Sequence, residues 1–293
     1  MVIFKTGLVN SLQHKLESVK RQVNGKVSGY KQDEIAKLQD LEKYQQPGSL
    51  IPFGYKVYSQ NEEDGIIREI FNRIGTTNKI FVEFGVGDGL ENNTVTLLFD
   101  GWCGLWIEGD SFNASKIKMG LPNTIKSKKL TLINSFITKE NINNLIASEI
   151  KVREIDLLSI DVDGNDYHFF DSIDCISPRV LVIEYNAKFA PPLQYCMRYN
   201  PTHSWDETDN FGVSLKFLEL KLKTKGYNLV GCNLTGANAF FVRQDLTADK
   251  FLAPFTAEQH YQPARYHLAG MKSGHRATYK TLDNWILSST QRS

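Results

Sequence analysis

The sequence predicts an α/β protein built on a mostly parallel sheet whose last strand runs antiparallel, with a helical N-terminal appendage and a C-terminal cap. Three observations predict it. From Pro52 onward, short apolar runs alternate with amphipathic stretches, the pattern of strands joined by crossover helices. Five such strand–helix units precede residue 190. After them the short polar link NLTGAN joins two apolar runs, which suits an antiparallel hairpin.

Residues 1–50 form the appendage. Apolar residues at Leu8, Leu12, Leu16, Val19, Val23 and Val27 mark one stripe of a helix, which Gly25 and Gly29 interrupt. A second helix over Asp33–Gln46 places Ile35, Leu38 and Leu41 on one side before Pro47 and Gly48 stop it. The appendage packs on the body or on a second copy, so a homo-oligomer through these helices is one expectation.

Residues 51–245 carry the sheet. A helix at Glu62–Ile74 precedes strands at Lys79–Glu83, Gly104–Glu108, Leu130–Asn134, Ile155–Asp161 and Arg179–Glu184. Helices at Thr94–Asp100, Asn113–Met119, Lys139–Ile150 and Asp166–Ile173 fit between and after them. Residues 185–211 break the pattern: they are rich in proline and aromatics and lack periodicity. Aperiodic stretches of this length in compact domains tend to be functional, so they read as an acceptor-binding insert. A helix at Val213–Lys225 and strands at Tyr227–Cys232 and Ala239–Arg243 close the domain, and residues 246–293 form the cap.

Composition narrows the function. Of 293 residues 41% are hydrophobic and 23% charged, ordinary for a globular chain. Lysine and arginine number 34 against 33 acids, so no global field draws nucleic acid or an anionic membrane, and a nucleic-acid partner is not expected. Cys103, Cys175, Cys196 and Cys232 lack CxxC spacing and read as reduced thiols, which together with the absence of a signal-like start or a long apolar run favours a cytoplasmic protein.

The sequence KIFVEFGVGDG sets Glu83 at the end of a buried strand, ahead of Gly85, Gly87 and Gly89 in the turn to a helix. Glycines there allow close approach of a ligand and positive φ. The spacing is GxGxG rather than GxGxxG, and an acid two residues before the first glycine suits an ammonium and repels a pyrophosphate. In GLWIEGD, Glu108 ends the next strand where a carboxylate takes both ribose hydroxyls. Asn134 and Ser135 at the third strand end are placed to border an adenine, and Asn93 follows the glycines into the cofactor set.

In their order along the chain, VEFGVGDG, LWIEGD, LLSIDVDGND and LVIEYN resemble the class I S-adenosylmethionine-dependent methyltransferases, and the preceding YSQNEEDG resembles their FkbM-like branch. The resemblance covers roughly Tyr58 to Arg243. It implies a Rossmann-like sheet with a reversed last strand, S-adenosyl-L-methionine as cofactor, and an O-methyltransferase acting on a saccharide or small-molecule hydroxyl. By the same resemblance Gln60 and Asp64 lie near the cofactor. The usual branch has a glutamate and an aromatic after the fourth strand where this chain has Asp163 and Asn165, so its acceptor site is expected to differ.

Asp161, Asp163 and Asp166 end the fourth strand and Glu184 and Asn186 the fifth, which brings several acids to one edge. Such acids repel unless protonated or bridged by a cation. One reading is Mg²⁺ or Mn²⁺ on Asp161, Asp163, Glu184 and Asn186, resembling metal-dependent O-methyltransferases. The other has Asp161 contacting the methionine end of the cofactor while Asp163 and Asp166 cap a helix. Candidate bases for the acceptor hydroxyl are His168, His203 and Asp163. Within the insert Tyr185, Tyr199 and Trp205 are candidate acceptor contacts. A basic run in the tail, including Arg265, His267, Lys272, His275, Arg276 and Lys280, is either a solvated face or a seat for an anion. Functions of other classes left open are a non-catalytic adenosine-binding scaffold and a nicotinamide dehydrogenase.

Overall fold

The computed structural model describes residues 2–270 and 274–290. In chain order α1 (Val2–Gln39) and α2 (Glu63–Ile74) lead into β1 (Ile80–Phe84), α3 (Val95–Phe99), β2 (Cys103–Glu108), α4 (Ser111–Gly120), α5 (Pro122–Lys126) and β3 (Leu130–Asn134). Then come α6 (Ile142–Glu149), β4 (Glu154–Ile160), α7 (Asp166–Ser172), β5 (Ser177–Glu184), α8 (Leu215–Thr224), β6 (Tyr227–Cys232) and β7 (Asn238–Arg243). After β7 come α9 (Gln244–Thr247), α10 (Ala257–His260) and α11 (Tyr279–Thr290).

The seven strands form one sheet in the order β3-β2-β1-β4-β5-β7-β6. β1 to β5 pair in parallel, and β7 inserts antiparallel between β5 and β6. This is the Rossmann-like sheet with a reversed last strand that the sequence predicts. The central strands read as continuous apolar runs because both faces are covered. Val82, Phe84, Leu158, Ile160, Leu181 and Ile183 pack on one face, and Phe81, Leu157, Val180, Val182 and Phe240 on the other.

The N-terminal expectation changes. One helix of 38 residues runs through Gly25 and Gly29, where a Cβ would meet nothing within 4 Å. A solvent-facing glycine costs a helix about 1 kcal/mol and does not break it. The stripe residues Leu16, Val19, Val23 and Val27 are exposed, whereas Ile35 is buried with Tyr44, Ile51, Leu234 and Leu268. Lys272 of the basic tail lies outside the described residues. Among the described residues no helix is long and apolar enough to cross a membrane.

At the amino end of the sheet Asp156 is fully buried. It accepts from the backbone N–H groups of Thr77, Asn78 and Lys79 and from Arg179 Nη1 at 2.6 Å. Arg179 also donates to the carbonyls of Ile74 and Gly75. Burial pushes the Asp156 carboxyl up, but the guanidinium and the N–H groups outweigh it and hold it below its usual value. This knot ties the end of α2 and the entry to β1 onto β4 and β5. Asp156→Ala strands a buried guanidinium, so chemical denaturation is expected to show a loss of about 3–5 kcal/mol; a loss within error of zero would contradict that role.

Candidate active site

A cavity of about 720 Å³ opens at the carboxyl ends of β1, β2 and β4, under the insert. Its form begins with Gly85, which has φ 70° and whose N–H donates to the Ile107 carbonyl. A Cβ on Gly85 would lie 1.7 Å from the Asp161 carbonyl oxygen, so only glycine lets the β1 and β4 exits pass. Gly89 serves packing instead, since a Cβ there would lie 2.9 Å from the Trp106 ring. Gly87, with φ 55° and open space around it, donates its N–H to Glu108 Oε2 at 2.8 Å.

Of the residues expected to hold a cofactor, Gln60, Glu83, Gly85, Gly87, Asn93, Glu108, Ser135 and Asp161 line this cavity. Glu108 fits its expected part: Gly87 and Asp110 each give one N–H to one of its oxygens, which leaves lone pairs free. Glu83 is more committed than its sequence position suggested. It accepts from Asn92 Nδ2 at 2.6 Å, the Asn93 N–H at 2.8 Å and Thr94 Oγ1 at 2.5 Å, so a large part of its work is to hold the entry to α3. Burial raises its pKa, against the pull of these bonds. The Asn93 side chain in turn donates to Ser159 Oγ.

Three expected cofactor residues sit outside the cavity lining. Gly89 has the packing role just given. Asn134 donates to the Glu108 and Gly109 carbonyls and so braces the β2 turn. Asp64 accepts from the N–H groups of Val57, Tyr58 and Ser59 and from Thr96 Oγ1, which fixes the loop bearing Gln60. The sequence reading missed Asn92, Ile107, Phe136 and Ile137, which also line the cavity. For Phe136 a signal existed: an aromatic two residues past a strand end, which remains 55% exposed.

At the β4 and β5 ends the carboxylates of Asp161, Asp166 and Glu184 converge, with ligand atoms within 4.8 Å of one another. Asp163, expected in this set, is not among the converging carboxylates. Asp163 has φ 54°, and it offers its backbone carbonyl to His203. Asn186 donates to the carbonyls of Asp209 and Phe211 and accepts from the Lys188 N–H, so its amide is spent holding the insert. Asp166 accepts from the N–H groups of Val162 and Gly164, one on each oxygen. Burial, then the neighbouring acids, push Asp161 and Glu184 well above the usual carboxylate range.

The two histidines separate cleanly. His168 Nε2 lies 2.7 Å from the Met197 carbonyl, and its ring packs between Tyr167 and Tyr199, away from the cavity. His203 lines the cavity, with Nε2 3.0 Å from the Asp163 carbonyl. A carbonyl only accepts, so Nε2 carries the proton in the neutral ring and Nδ1 is the free acceptor. Its ring rests on Gly164, where a Cβ would lie 2.5 Å from it. Asn165 holds the same turn, donating to the Asn200 carbonyl and accepting from the Asn200 N–H.

The aromatic candidates also divide. Tyr185 is fully buried, with its hydroxyl donating to the Gln262 carbonyl, and Tyr199 accepts from the Lys139 N–H while its ring meets His168 edge-to-face. Both are insert anchors rather than cavity walls. Trp205 does line the cavity and is 49% exposed. In the tail, Arg265 donates to the Leu234 carbonyl, while His275 and Arg276 border a separate groove of about 780 Å³ with Lys56.

No protein-family model and no curated protein matches the chain. Solved structures give distant likenesses. A Staphylococcus aureus protein assigned provisionally as a caffeoyl-CoA O-methyltransferase is 13% identical at a TM-score of 0.45, over 74% of this chain and 98% of that one. An O-methyltransferase from Bacillus cereus in complex with SAH is 12% identical at 0.42, over 74% and 89%. The glycopeptide N-methyltransferase MtfA complexed with S-adenosyl-L-homocysteine is 12% identical at 0.38, over 64% and 89%. At such distances the chemistry has to be read from this chain's own residues.

The buried acids impose a pH dependence. Burial and then the charge of Glu63 push Glu62 up to about 8, and burial pushes Asp166 up to about 6. A carboxyl raised on folding binds its proton more tightly in the folded state, so its stabilising contribution is full below the unfolded value of 4.5 or 3.8 and is lost as pH rises through the folded value. Thermal melts are expected to show stability declining from about pH 5 to pH 8, with Glu62→Gln flattening the upper half of the slope. A profile that rises across that interval would contradict the assignment.

Proposed function

We propose that the chain transfers a methyl group from S-adenosyl-L-methionine to a hydroxyl of a saccharide or related small molecule. The observation that carries this reading is the charge of the cavity. Glu83, Asp88, Glu91, Glu108, Asp110, Asp161 and Asp163 line it, with no lysine or arginine among the lining residues. A dinucleotide would bring its pyrophosphate to the glycine turn, beside Glu83 and Asp88, which weighs against the nicotinamide reading. A sulfonium ligand carries the charge that such walls favour.

The residues fit the cofactor. Glu108 keeps lone pairs for two vicinal hydroxyls, and Ile107, Phe136 and Ile137 offer an apolar slot for the base. When bound, S-adenosylmethionine supplies an electrophilic methyl group on its sulfonium. His203 would take the acceptor's proton at Nδ1, held in aim by the Asp163 carbonyl, the flat seat of Gly164 and the Asn165 clamp. Trp205 offers an exposed ring face to the apolar side of a sugar. Mg²⁺ or Mn²⁺ fits this edge less fully than expected: Asp163 lies outside the cluster and the Asn186 amide is engaged with the insert, which leaves the three converging carboxylates of Asp161, Asp166 and Glu184 for an ion that prefers about six oxygens.

Turnover separates an enzyme from an adenosine-binding scaffold. With labelled donor and a saccharide panel, His203→Gln is expected to lower kcat about a hundredfold, while His168→Gln leaves kcat within a few-fold and lowers thermal stability. Loss of turnover in the His168 variant with full turnover in the His203 variant would overturn the assignment of the base.

A further inference from the structure

Resting on the methyl-transfer reading, one feature of the cavity specifies the acceptor. Glu184 on β5 and Asn238 on β7 are directly paired across the strands. Glu184 Oε2 and Asn238 Oδ1 are both buried without a hydrogen-bond partner among the described residues. Asn238, only 3% exposed, lines the cavity and sends its Nδ2 to Glu63 Oε1, so its other branch is the one left open. Asp161 beside them takes no donor either, and Asn92 Oδ1, also in the lining, is a fourth acceptor left without one. Buried acceptors without donors are costly, and native interiors avoid them unless something absent supplies the hydrogens. Here every unmet group is an acceptor, and the walls carry negative charge with no lysine or arginine.

We infer that the acceptor carries a protonated amine, seated against Asp161 beside Asn238, and that acidic acceptors are excluded. An ammonium brings three donors and a positive charge, which meets both deficits at once. A phosphate, sulfate or carboxylate would face Asp161 and Asp163 with no cation to receive it, at a cost that rises as the insert excludes water. Lys56, His275 and Arg276 border the neighbouring groove, and Lys56 is paired with Glu91.

The test is a calorimetric titration of the full chain, saturated with S-adenosylhomocysteine, with glucosamine, N-acetylglucosamine and glucuronate at low salt. Glucosamine is expected to bind at least tenfold more tightly than its acetylated form and glucuronate not at all, with the preference shrinking as salt rises. Asn238→Leu, which removes the open acceptor, should weaken the glucosamine preference and leave the affinity for S-adenosylhomocysteine unchanged. Failure of S-adenosylhomocysteine to bind the wild-type chain would strike the methyl-transfer reading itself, independently of the amine. Equal affinity for glucosamine and its acetylated form in the wild-type chain overturns the inference. So does a tenfold loss of S-adenosylhomocysteine affinity in Asp161→Asn, which would give the seat to the cofactor's own ammonium. Tight binding of Mg²⁺ alone that the same substitution removes would give it to a metal.

Discussion

The contact on which the site depends is the passage of Gly85 across the Asp161 carbonyl. Two central strands, β1 and β4, end side by side, and their exits must part without side chains between them. Once they part, the glycine turn swings toward β2, where its Gly87 N–H meets Glu108, and the acidic turn swings toward the insert. The cavity is the space between those two departures. Both flanks of the cavity therefore share one backbone contact, and a methyl group added there would push on both.

Buried polar groups far along the chain hold that space open. Glu63 accepts from Asn61, Asn233 and Asn238, and Glu62 accepts from the N–H groups of Leu234 and Thr235, so the loop before α2 is tied to the β6–β7 hairpin. From the other side Tyr279 of α11 donates to the Asp88 carbonyl in the glycine turn, and Asp283 accepts from Asn123 and Thr124. The last helix thus latches the cradle to α5. Glu62 sacrifices stability at neutral pH for a fixed geometry, a trade common where a site is built from buried charge.

Much of the sheet was legible because its strands are apolar on both faces and bounded by glycine or acidic turns. The strand ends, and with them Glu108 and Asp161, follow from that pattern alone. Less legible was what each polar residue spends its hydrogen bonds on. Glu83 reads as a ligand group until Asn92, Asn93 and Thr94 are seen to fill it, and their partnership spans a turn whose shape no spacing rule specifies. The same holds for Asn186 and Tyr185, whose partners come from the insert and from Gln262, a residue 77 positions away. His168 and His203 looked equivalent in sequence; the fold divides them because the turn at Gly164 faces the cavity while the following helix turns its ring inward. The uninterrupted α1 was missed for the opposite reason, since glycine weakens a helix locally and nothing local forces it to stop.

The claim that the charge and shape of this cavity select a sulfonium cofactor over a dinucleotide is tested most directly by calorimetric titration of the full chain with S-adenosylhomocysteine and, separately, with NAD. Saturable binding of S-adenosylhomocysteine, weakened about tenfold by Glu108→Ala in keeping with the loss of charged hydrogen bonds to the ribose, with no heat from NAD, is the predicted result. Binding of NAD that Glu108→Ala also weakens, or no binding of S-adenosylhomocysteine at all, would contradict it.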